Sequence, residues 1–140
     1  PRSTLFPYTR SSDLPMEAFT IFTTQMFNRA EHIAQMIKEV GSPNLKGLAD
    51  TDVMATTGKD TIHDFIRELG DDLVHVHFVD GNPGGHLVPG DGKLDLTDSI
   101  KALNDIEYKG YLGLEILDRR YVLDPDQALK DSITWFEKHL

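Results

Sequence analysis

The 140-residue sequence contains no cysteine. Disulfide bonds and thiolate metal sites are therefore excluded, and the lack of thiols fits a reducing compartment. No apolar run approaches the roughly 20 residues that a membrane-spanning helix needs. We therefore expect a cytoplasmic protein that has no membrane partner.

Positive charge is also scarce, since 14 Lys and Arg residues stand against 23 Asp and Glu residues and give a formal net charge of −9. An acidic surface repels phosphate backbones, so we expect no nucleic-acid partner. Phosphate-binding loops are missing as well. No G-x-G-x-x-G follows the first predicted strand, and the stretch GDGK has Leu87 where a P-loop requires its first glycine.

The first fourteen residues, PRSTLFPYTRSSDL, have no hydrophobic period and differ in character from the rest of the chain. Residues 1–9 can be back-translated as the in-frame start of a common sequencing adapter, and residues 10–14 as its end, one base out of frame. We interpret residues 1–14 as a non-native, adapter-derived segment. A flexible native N-terminus is the alternative. On our interpretation the native part, residues 15–140, lacks its upstream half.

Residues 15–140 alternate between strand-like and helix-like patterns. Apolar stretches predict strands over residues 15–22, 44–50, 73–80 and 111–117. Apolar residues at helical spacing predict four helices with these buried faces: Ile33, Met36, Ile37, Val40; Ile62, Phe65, Ile66, Leu69; Ile100, Leu103, Ile106; and Leu129, Ile133, Trp135, Phe136. Gly41 and Gly70 are placed to end the first two helices.

Four consecutive βα units predict an α/β fold with a parallel sheet and right-handed crossovers. A doubly wound sheet and a (β/α)8 barrel both fit this pattern. Because no dinucleotide-binding motif is present, we favour the C-terminal half of a (β/α)8 TIM barrel. The active site of such a barrel lies at the C-terminal ends of its strands.

One polar residue lies near the C-terminal end of each predicted strand: Glu17, Asp50, His77 and Glu115, at intervals of 33, 27 and 38 residues. Each interval is about one βα unit, so these side chains converge on one rim of a parallel barrel. Three carboxylates and one imidazole suit Mn²⁺, Co²⁺ or Mg²⁺ better than a thiolate-type zinc site. We therefore predict that all four bind one divalent metal ion.

Each of these residues also has a purely structural interpretation. Asp50 precedes Thr51 and could simply cap a loop, and His75, which alternates with His77, is interpreted as a hydrogen-bonded core residue. Glu17 and Glu115 are harder to explain, because a carboxylate between apolar neighbours in a buried strand is costly without a partner.

The loop after the His77 strand is rich in glycine and proline and carries His86. Glycine and proline fix the shape of a loop and allow its backbone to approach a ligand closely. We predict that His86 binds a substrate oxygen. A surface loop with a solvent-exposed histidine is the alternative.

These residues and their surroundings resemble the xylose isomerase-like superfamily of TIM-barrel sugar isomerases and epimerases. The resemblance covers residues 15–140 and rests on the stretches MEAFT, SPNLKGLADT, ELGDDLVHVHFVD, HLVPGDGKLDL and YKGYLGLEI. The run H-x-x-P-G-x-G-K, nine residues after the H-x-H strand, particularly resembles the fructoselysine 3-epimerases and the tagatose and psicose 3-epimerases.

The resemblance implies a function and residue roles. Glu17, Asp50, His77 and Glu115 would bind one divalent ion, Mn²⁺ before Co²⁺ or Mg²⁺, on the fifth to eighth strands of the barrel. Glu17 and Glu115 would also be the catalytic acid and base on opposite faces of a sugar. One would remove the C3 proton of a ketose or fructosamine, the metal would stabilise the cis-enediolate, and the other would return a proton. The full-length protein would be a homo-oligomer.

The sequence departs from this pattern at two positions. Tagatose-type enzymes have a substrate-binding histidine where Val53 stands and an arginine where Pro83 stands. Two alternatives therefore remain open: a metal-dependent aldose–ketose isomerase of the hydroxypyruvate or inosose type, and a non-catalytic member that binds sugar or metal. The isolated fragment is expected to be inactive and to aggregate or pair.

Overall fold

A computed structural model describes residues 14–17 and 27–140. Four strands follow in chain order: β1 (Leu14–Glu17), β2 (Leu45–Asp50), β3 (Leu73–His77) and β4 (Tyr111–Gly113). The helices are α1 (Ala30–Val40), α2 (Thr51–Thr57), α3 (Ile62–Leu69), α4 (Leu96–Asp105) and α5 (Pro125–His139), with 3₁₀ turns at Gly70–Asp72 and Arg119–Tyr121. The prediction about residues 1–14 lies outside the described residues, apart from Leu14, which begins β1.

The four strands form one parallel sheet in the order β1-β2-β3-β4. This arrangement confirms the predicted parallel α/β fold. Glu17 pairs with Leu48, while Asp50 pairs with His77 and His77 with Gly113. Partners that lie side by side in a parallel sheet point to the same face, and β-strand side chains alternate. The register therefore turns Glu17, Asp50 and His77 to one face.

The core lies between the sheet and the helices that cover its other face. Ile33 of α1, Phe65 of α3 and Ile100 of α4 are each at most 3% exposed and pack in one cluster with Val76 of β3. Each such side chain contributes roughly 1.5–3 kcal/mol relative to an exposed one. The helical period therefore predicted the buried faces of these three helices, apart from Val40 and Ile106 at their C-terminal ends.

The sequence patterns overlooked one helix and misjudged several ends. Helix α2 begins directly after β2 and was not predicted, because residues 51–57 hold three threonines and no clear apolar period. The predicted strand over 111–117 is paired only at 111–113, so Glu115 lies in the segment after β4. Four residues assigned to buried helix faces are exposed: Val40, Ile106, Leu129 and Ile133.

The last helix begins at an aspartate followed by a proline, a pair that is typical of helix starts. Asp124 caps α5, because its side chain accepts a hydrogen bond from the backbone N–H of Gln127, and Pro125 occupies the first turn. In the described part of the chain, no helix is both long enough and apolar enough to cross a membrane.

Strands β1 and β4 each have one neighbour among the described strands and therefore form the two edges of the described sheet. Apolar side chains are also exposed on α5 and just before it. Leu123, Leu129 and Ile133 are 97%, 50% and 54% exposed, and we call them the α5 surface. Open edges and exposed apolar surface both favour association with other chains.

We predict that the 140-residue chain associates when it is expressed alone. Size-exclusion chromatography with light scattering should give a mass above that of one chain, or aggregation. Ile133→Asp should reduce association because it places a charge in the α5 surface. Val40→Asp, an equally exposed position on α1, is the matched control and should have no effect. A monodisperse wild-type monomer would contradict the prediction.

Candidate metal centre

The imidazole of His77 is the centre of a cluster of carboxylates at the C-terminal rim of the sheet. Its Nδ1 atom lies 3.7 Å from Glu17 Oε1, 3.3 Å from Asp50 Oδ2 and 3.2 Å from Glu115 Oε2. The structure thus brings together all four residues that the sequence predicts as metal ligands. Three carboxylates meet one ring nitrogen.

The positions of the strand ends and the lengths of the side chains explain why the three carboxylates lie near His77. Asp50 and His77 are the last residues of β2 and β3 and lie side by side in the sheet. Glu17 ends β1 but pairs with Leu48, two residues before Asp50, so its longer side chain is needed to reach the same point. Glu115 follows β4 by two residues and is 39% exposed, the most accessible of the three carboxylates.

Asp50 uses its two carboxylate oxygens for two different purposes. Oδ1 accepts hydrogen bonds from the backbone N–H groups of Asp52 at 2.7 Å and Val53 at 3.2 Å, which caps α2. Oδ2 accepts a hydrogen bond from Nδ1 of His77. The capping interpretation of Asp50 and its place in the cluster are therefore both correct, because each needs only one oxygen.

The cluster changes the proton affinity of its members. Hydrogen bonds to Asp50 and then to Glu17 raise the pKa of His77 from 6.5 to about 10, against the opposing effect of burial. Burial acts to raise the pKa of Asp50, but the hydrogen bond from His77 and the backbone N–H groups of α2 outweigh it, and that pKa is lowered. Without a metal ion, the imidazolium supplies the positive charge that the carboxylates require.

The neighbouring residue His75 has a different environment. Its ring lies edge-on to that of His77, with the ring centroids 5.2 Å apart. Burial, followed by the nearby charge of His77, lowers the pKa of His75. The half-buried ring and the lowered pKa fit a structural role for His75, and its predicted hydrogen bond stays a prediction.

His86 lies at the edge of the cluster. Its Nε2 is 3.5 Å from Glu115 Oε2, and its Nδ1 is 3.6 Å from Asp52 Oδ1. Its backbone carbonyl accepts a hydrogen bond from the N–H of Leu117, which ties the loop to the segment that carries Glu115. The side chain is one quarter exposed.

Two buried aspartates that the sequence patterns did not single out hold the glycine-rich loop in place. Asp52 accepts a hydrogen bond from the N–H of Gly85. Asp80 accepts from the backbone N–H groups of Gly81, Gly90 and Leu94. Both aspartates lie at or just after the ends of predicted strands and could have been noticed there, because glycine-rich loops expose N–H groups that need acceptors.

The donor set fits a divalent cation. Glu17, Asp50 and His77 each offer one ligand atom, and these atoms lie within 4.8 Å of one another. Asp50, His86 and Glu115 form a second such group that shares Asp50 with the first. Carboxylate oxygens with one or two imidazoles are ligands that Mn²⁺ and Mg²⁺ accept. An excess of acidic charge around one imidazole also favours a cation electrostatically.

Comparison with known proteins places this geometry in a family. The family model described as "Xylose isomerase-like TIM barrel" matches residues 5–139. The chain belongs to this family. The resemblance inferred from the sequence is therefore confirmed, and so is the TIM-barrel fold class.

Individual relatives of the chain are sugar epimerases. Fructoselysine 3-epimerase from Escherichia coli O157:H7 is 28% identical over 126 residues, which cover 89% of this chain and 45% of the relative. D-Psicose 3-epimerase from Enterocloster bolteae is 33% identical over 102 residues, covering 73% and 33%. The crystal structure of 3-keto-D-glucoside 4-epimerase from E. coli aligns with a TM-score of 0.77 at 25% identity, covering 91% and 46%. The chain thus spans less than half the length of these relatives.

The shifted pKa of His77 predicts how the stability of the metal-free chain depends on pH. The pKa of His77 is about 10 in the folded state and 6.5 in the unfolded state. Between pH 6.5 and 10, the folded state therefore keeps a proton on His77 that the unfolded state has lost. The stabilisation by His77 is therefore complete below pH 6.5 and declines as the pH rises toward 10.

Urea unfolding of chelator-treated protein at one fixed protein concentration tests this dependence. The difference in free energy of unfolding between wild type and His77→Gln should shrink steadily from pH 6.5 to 10. His63→Gln, at an exposed position on α3, is the control and should show no such trend. A wild-type advantage over H77Q that stays constant across this range would contradict the prediction.

Proposed function

We propose that residues 15–140 are the C-terminal half of a metal-dependent sugar epimerase that acts at C3 of a ketose or fructosamine. The observation that carries the proposal is the cluster of three carboxylates around His77 Nδ1 at the C-terminal rim of a sheet in this family. In TIM-barrel enzymes that rim is where catalytic residues lie. The four strands would be the fifth to eighth of the complete barrel.

One divalent ion would be held by Glu17, Asp50, His77 and Glu115. Mn²⁺ is the first choice, with Co²⁺ and Mg²⁺ as alternatives, because the set is rich in oxygen and holds a single imidazole. When bound, the ion would supply positive charge to stabilise the cis-enediolate that forms when a proton leaves carbon beside a carbonyl. The fit of the donor atoms supports this assignment.

Glu17 and Glu115 would be the catalytic acid and base. Glu17 ends the first strand and Glu115 lies in the segment after the last, so the two reach His77 from opposite sides along the sheet. Two carboxylates on opposite faces of a sugar can remove the C3 proton from one face and return a proton to the other, which inverts that centre. A single base working on one face would instead suit aldose–ketose isomerisation.

His86 would bind a substrate oxygen. Its ring is partly exposed beside Glu115, on a loop that follows the His77 strand, and a ring nitrogen there can donate to or accept from a sugar hydroxyl. This role would replace the histidine and arginine that tagatose-type enzymes have where Val53 and Pro83 stand. We propose a small sugar as the substrate, as in the related epimerases.

Similarity to two 3-epimerases favours inversion at C3 over the alternatives. The runner-up is a metal-dependent aldose–ketose isomerase of the hydroxypyruvate or inosose type. A non-catalytic member that binds metal or sugar is the third possibility. We further propose that the full-length protein is a cytoplasmic homo-oligomer and that the isolated fragment is inactive, because any substrate contacts from the first four strands would be missing.

Metal binding is the first test, and it uses the full-length protein. Titration of chelator-treated protein with Mn²⁺, followed by electron paramagnetic resonance of the free ion, should show one site per barrel. Asp50→Asn and His77→Gln should each weaken Mn²⁺ affinity by at least about tenfold, since removing even supporting contacts has an effect of about this size. Glu137→Gln, an exposed change on α5, is the control. Equal affinity in all variants would exclude the proposed site.

Proton exchange is the second test. With Mn²⁺ and a panel of ketoses and fructosamines in deuterated water, deuterium should appear at C3 together with the inverted product. Glu17→Gln and Glu115→Gln should each reduce this exchange by roughly 10²–10⁴-fold, the usual contribution of a general acid or base. A chelator should abolish the exchange, and E137Q should leave it intact.

The readout separates the three candidate functions. Exchange at C1 or C2 without inversion at C3 would favour the isomerase. Tight Mn²⁺ binding with no exchange on any sugar would favour the non-catalytic member. Either outcome would overturn the proposed epimerase.

A further inference from the structure

The carboxylate of Asp52 is buried beside the cluster without pointing into it. Asp52 lies in the first turn of α2 and is 6% exposed. Its Oδ1 atom accepts a hydrogen bond from the N–H of Gly85 at 2.6 Å and lies 3.4 Å from the N–H of His86. The same oxygen lies 3.6 Å from Nδ1 of His86. One carboxylate oxygen thus faces both the backbone and the ring of the His86 segment.

The ring of His86 lies between two carboxylates. Nδ1 faces Asp52, and Nε2 faces Glu115 at 3.5 Å. Asp52 meets the backbone from one side, and the bond from Leu117 N–H to the His86 carbonyl ties the same residue to the segment after β4. The backbone of His86 is therefore held from two sides, and its ring lies between the two carboxylates.

The loop accepts strained geometry to reach this position. His86 has φ of +50°, a left-handed conformation that non-glycine residues rarely adopt. Gly84 packs so closely on α2 that a Cβ there would lie 2.5 Å from Thr56 Cγ2 and 2.9 Å from Asp52 Oδ1. Such local cost persists only where the surrounding contacts impose it, and it is common at functional sites.

We propose that Asp52 is a positioning residue that sets the orientation of His86 so that Nε2 is presented to Glu115 and the sugar. Nδ1 faces the Asp52 carboxylate at 3.6 Å, so Nε2 lies on the side of Glu115. This inference rests on the proposed function for its catalytic consequence. Its structural part, the control of His86 by Asp52, stands independently of any reaction.

This arrangement would couple the substrate-binding histidine to one of the two proposed proton-transfer residues. With the ring fixed, a sugar hydroxyl could bridge His86 Nε2 and the Glu115 carboxylate. Misplacement of such a group by about 1 Å can reduce a rate by about a hundredfold. Asp52 would therefore affect turnover although it contacts no substrate.

The first experiment measures the ring of His86 directly, at pH 7.5, in full-length protein labelled with ¹⁵N at histidine and loaded with Mg²⁺. His86→Gln assigns the signals. Asp52→Asn retains a carbonyl oxygen that can accept from Gly85 N–H but removes the charge that faces Nδ1 of His86. The ring should then reorient, and both of its nitrogen shifts should change. Asp60→Asn is the matched control, because Asp60 is equally buried but accepts from Ala30 N–H and Arg29, away from the site. Unchanged His86 shifts in D52N would overturn the proposal.

The second experiment measures turnover in the deuterium-exchange assay. D52N should lower kcat about ten- to a hundredfold with KM changed less than about threefold, whereas D60N should lower only the melting temperature. In the His86→Gln background, D52N should have no further effect on kcat, since a positioning residue acts only through the residue it positions. An equal loss in both backgrounds would overturn the proposal. If no sugar exchanges at all, the proposed function fails, while the ring shifts still decide the role of Asp52.

Discussion

Electrostatic attraction between His77 and three carboxylates is the interaction on which the candidate site depends. Glu17, Asp50 and Glu115 come from different βα units, and like charges at this spacing repel one another. In the metal-free chain, a proton on His77 reduces this repulsion. The raised pKa of His77 reflects the stabilisation of the protonated ring by the carboxylates. A divalent cation would relieve the repulsion more strongly. The arrangement of these three carboxylates therefore favours a positive charge at the site.

The register of the parallel strands, and not a local sequence motif, brings these side chains together. Parallel strands place their C-terminal ends along one rim, and alternation within each strand turns every second side chain to the same face. Asp50 and His77 are direct partners across β2 and β3, while Glu17 compensates for a two-residue offset with a longer side chain. Replacing Glu17 with Asp would shorten this reach by one methylene.

Much of the fold and most of the site could be predicted from the sequence, and the reasons are physical. The apolar period of 3.6 identifies the buried faces of α1, α3 and α4, and the strand-end positions of Glu17, Asp50 and His77 follow from the spacing of βα units. Helix α2 was missed because its stability comes from the Asp50 cap and from burial of Val53 and Met54, not from an apolar period. Exposure of Leu129 and Ile133 could not be predicted, because it depends on what packs against α5.

Asp52 illustrates a second limit of prediction from sequence, which concerns contacts between distant segments of the chain. Its partners Gly85 and His86 lie more than thirty residues away, and no local pattern links an aspartate in a helix to the N–H groups of a distant loop. Its place just after a predicted strand makes it a candidate, but its burial and its hydrogen-bond partners are known only once the fold is known. The same holds for Asp80, which organises the other end of that loop.

The divided carboxylate of Asp50 has a consequence for laboratory evolution of this site. A library that varies residue 50 to change ion preference also varies the start of α2, because Oδ1 caps the helix. Asparagine would keep the cap but lose the charge, while glutamate would keep the charge but displace the cap. Variants selected for a new ion at the proposed site would thus lose helix stability and soluble yield. We expect compensating changes in the first turn of α2.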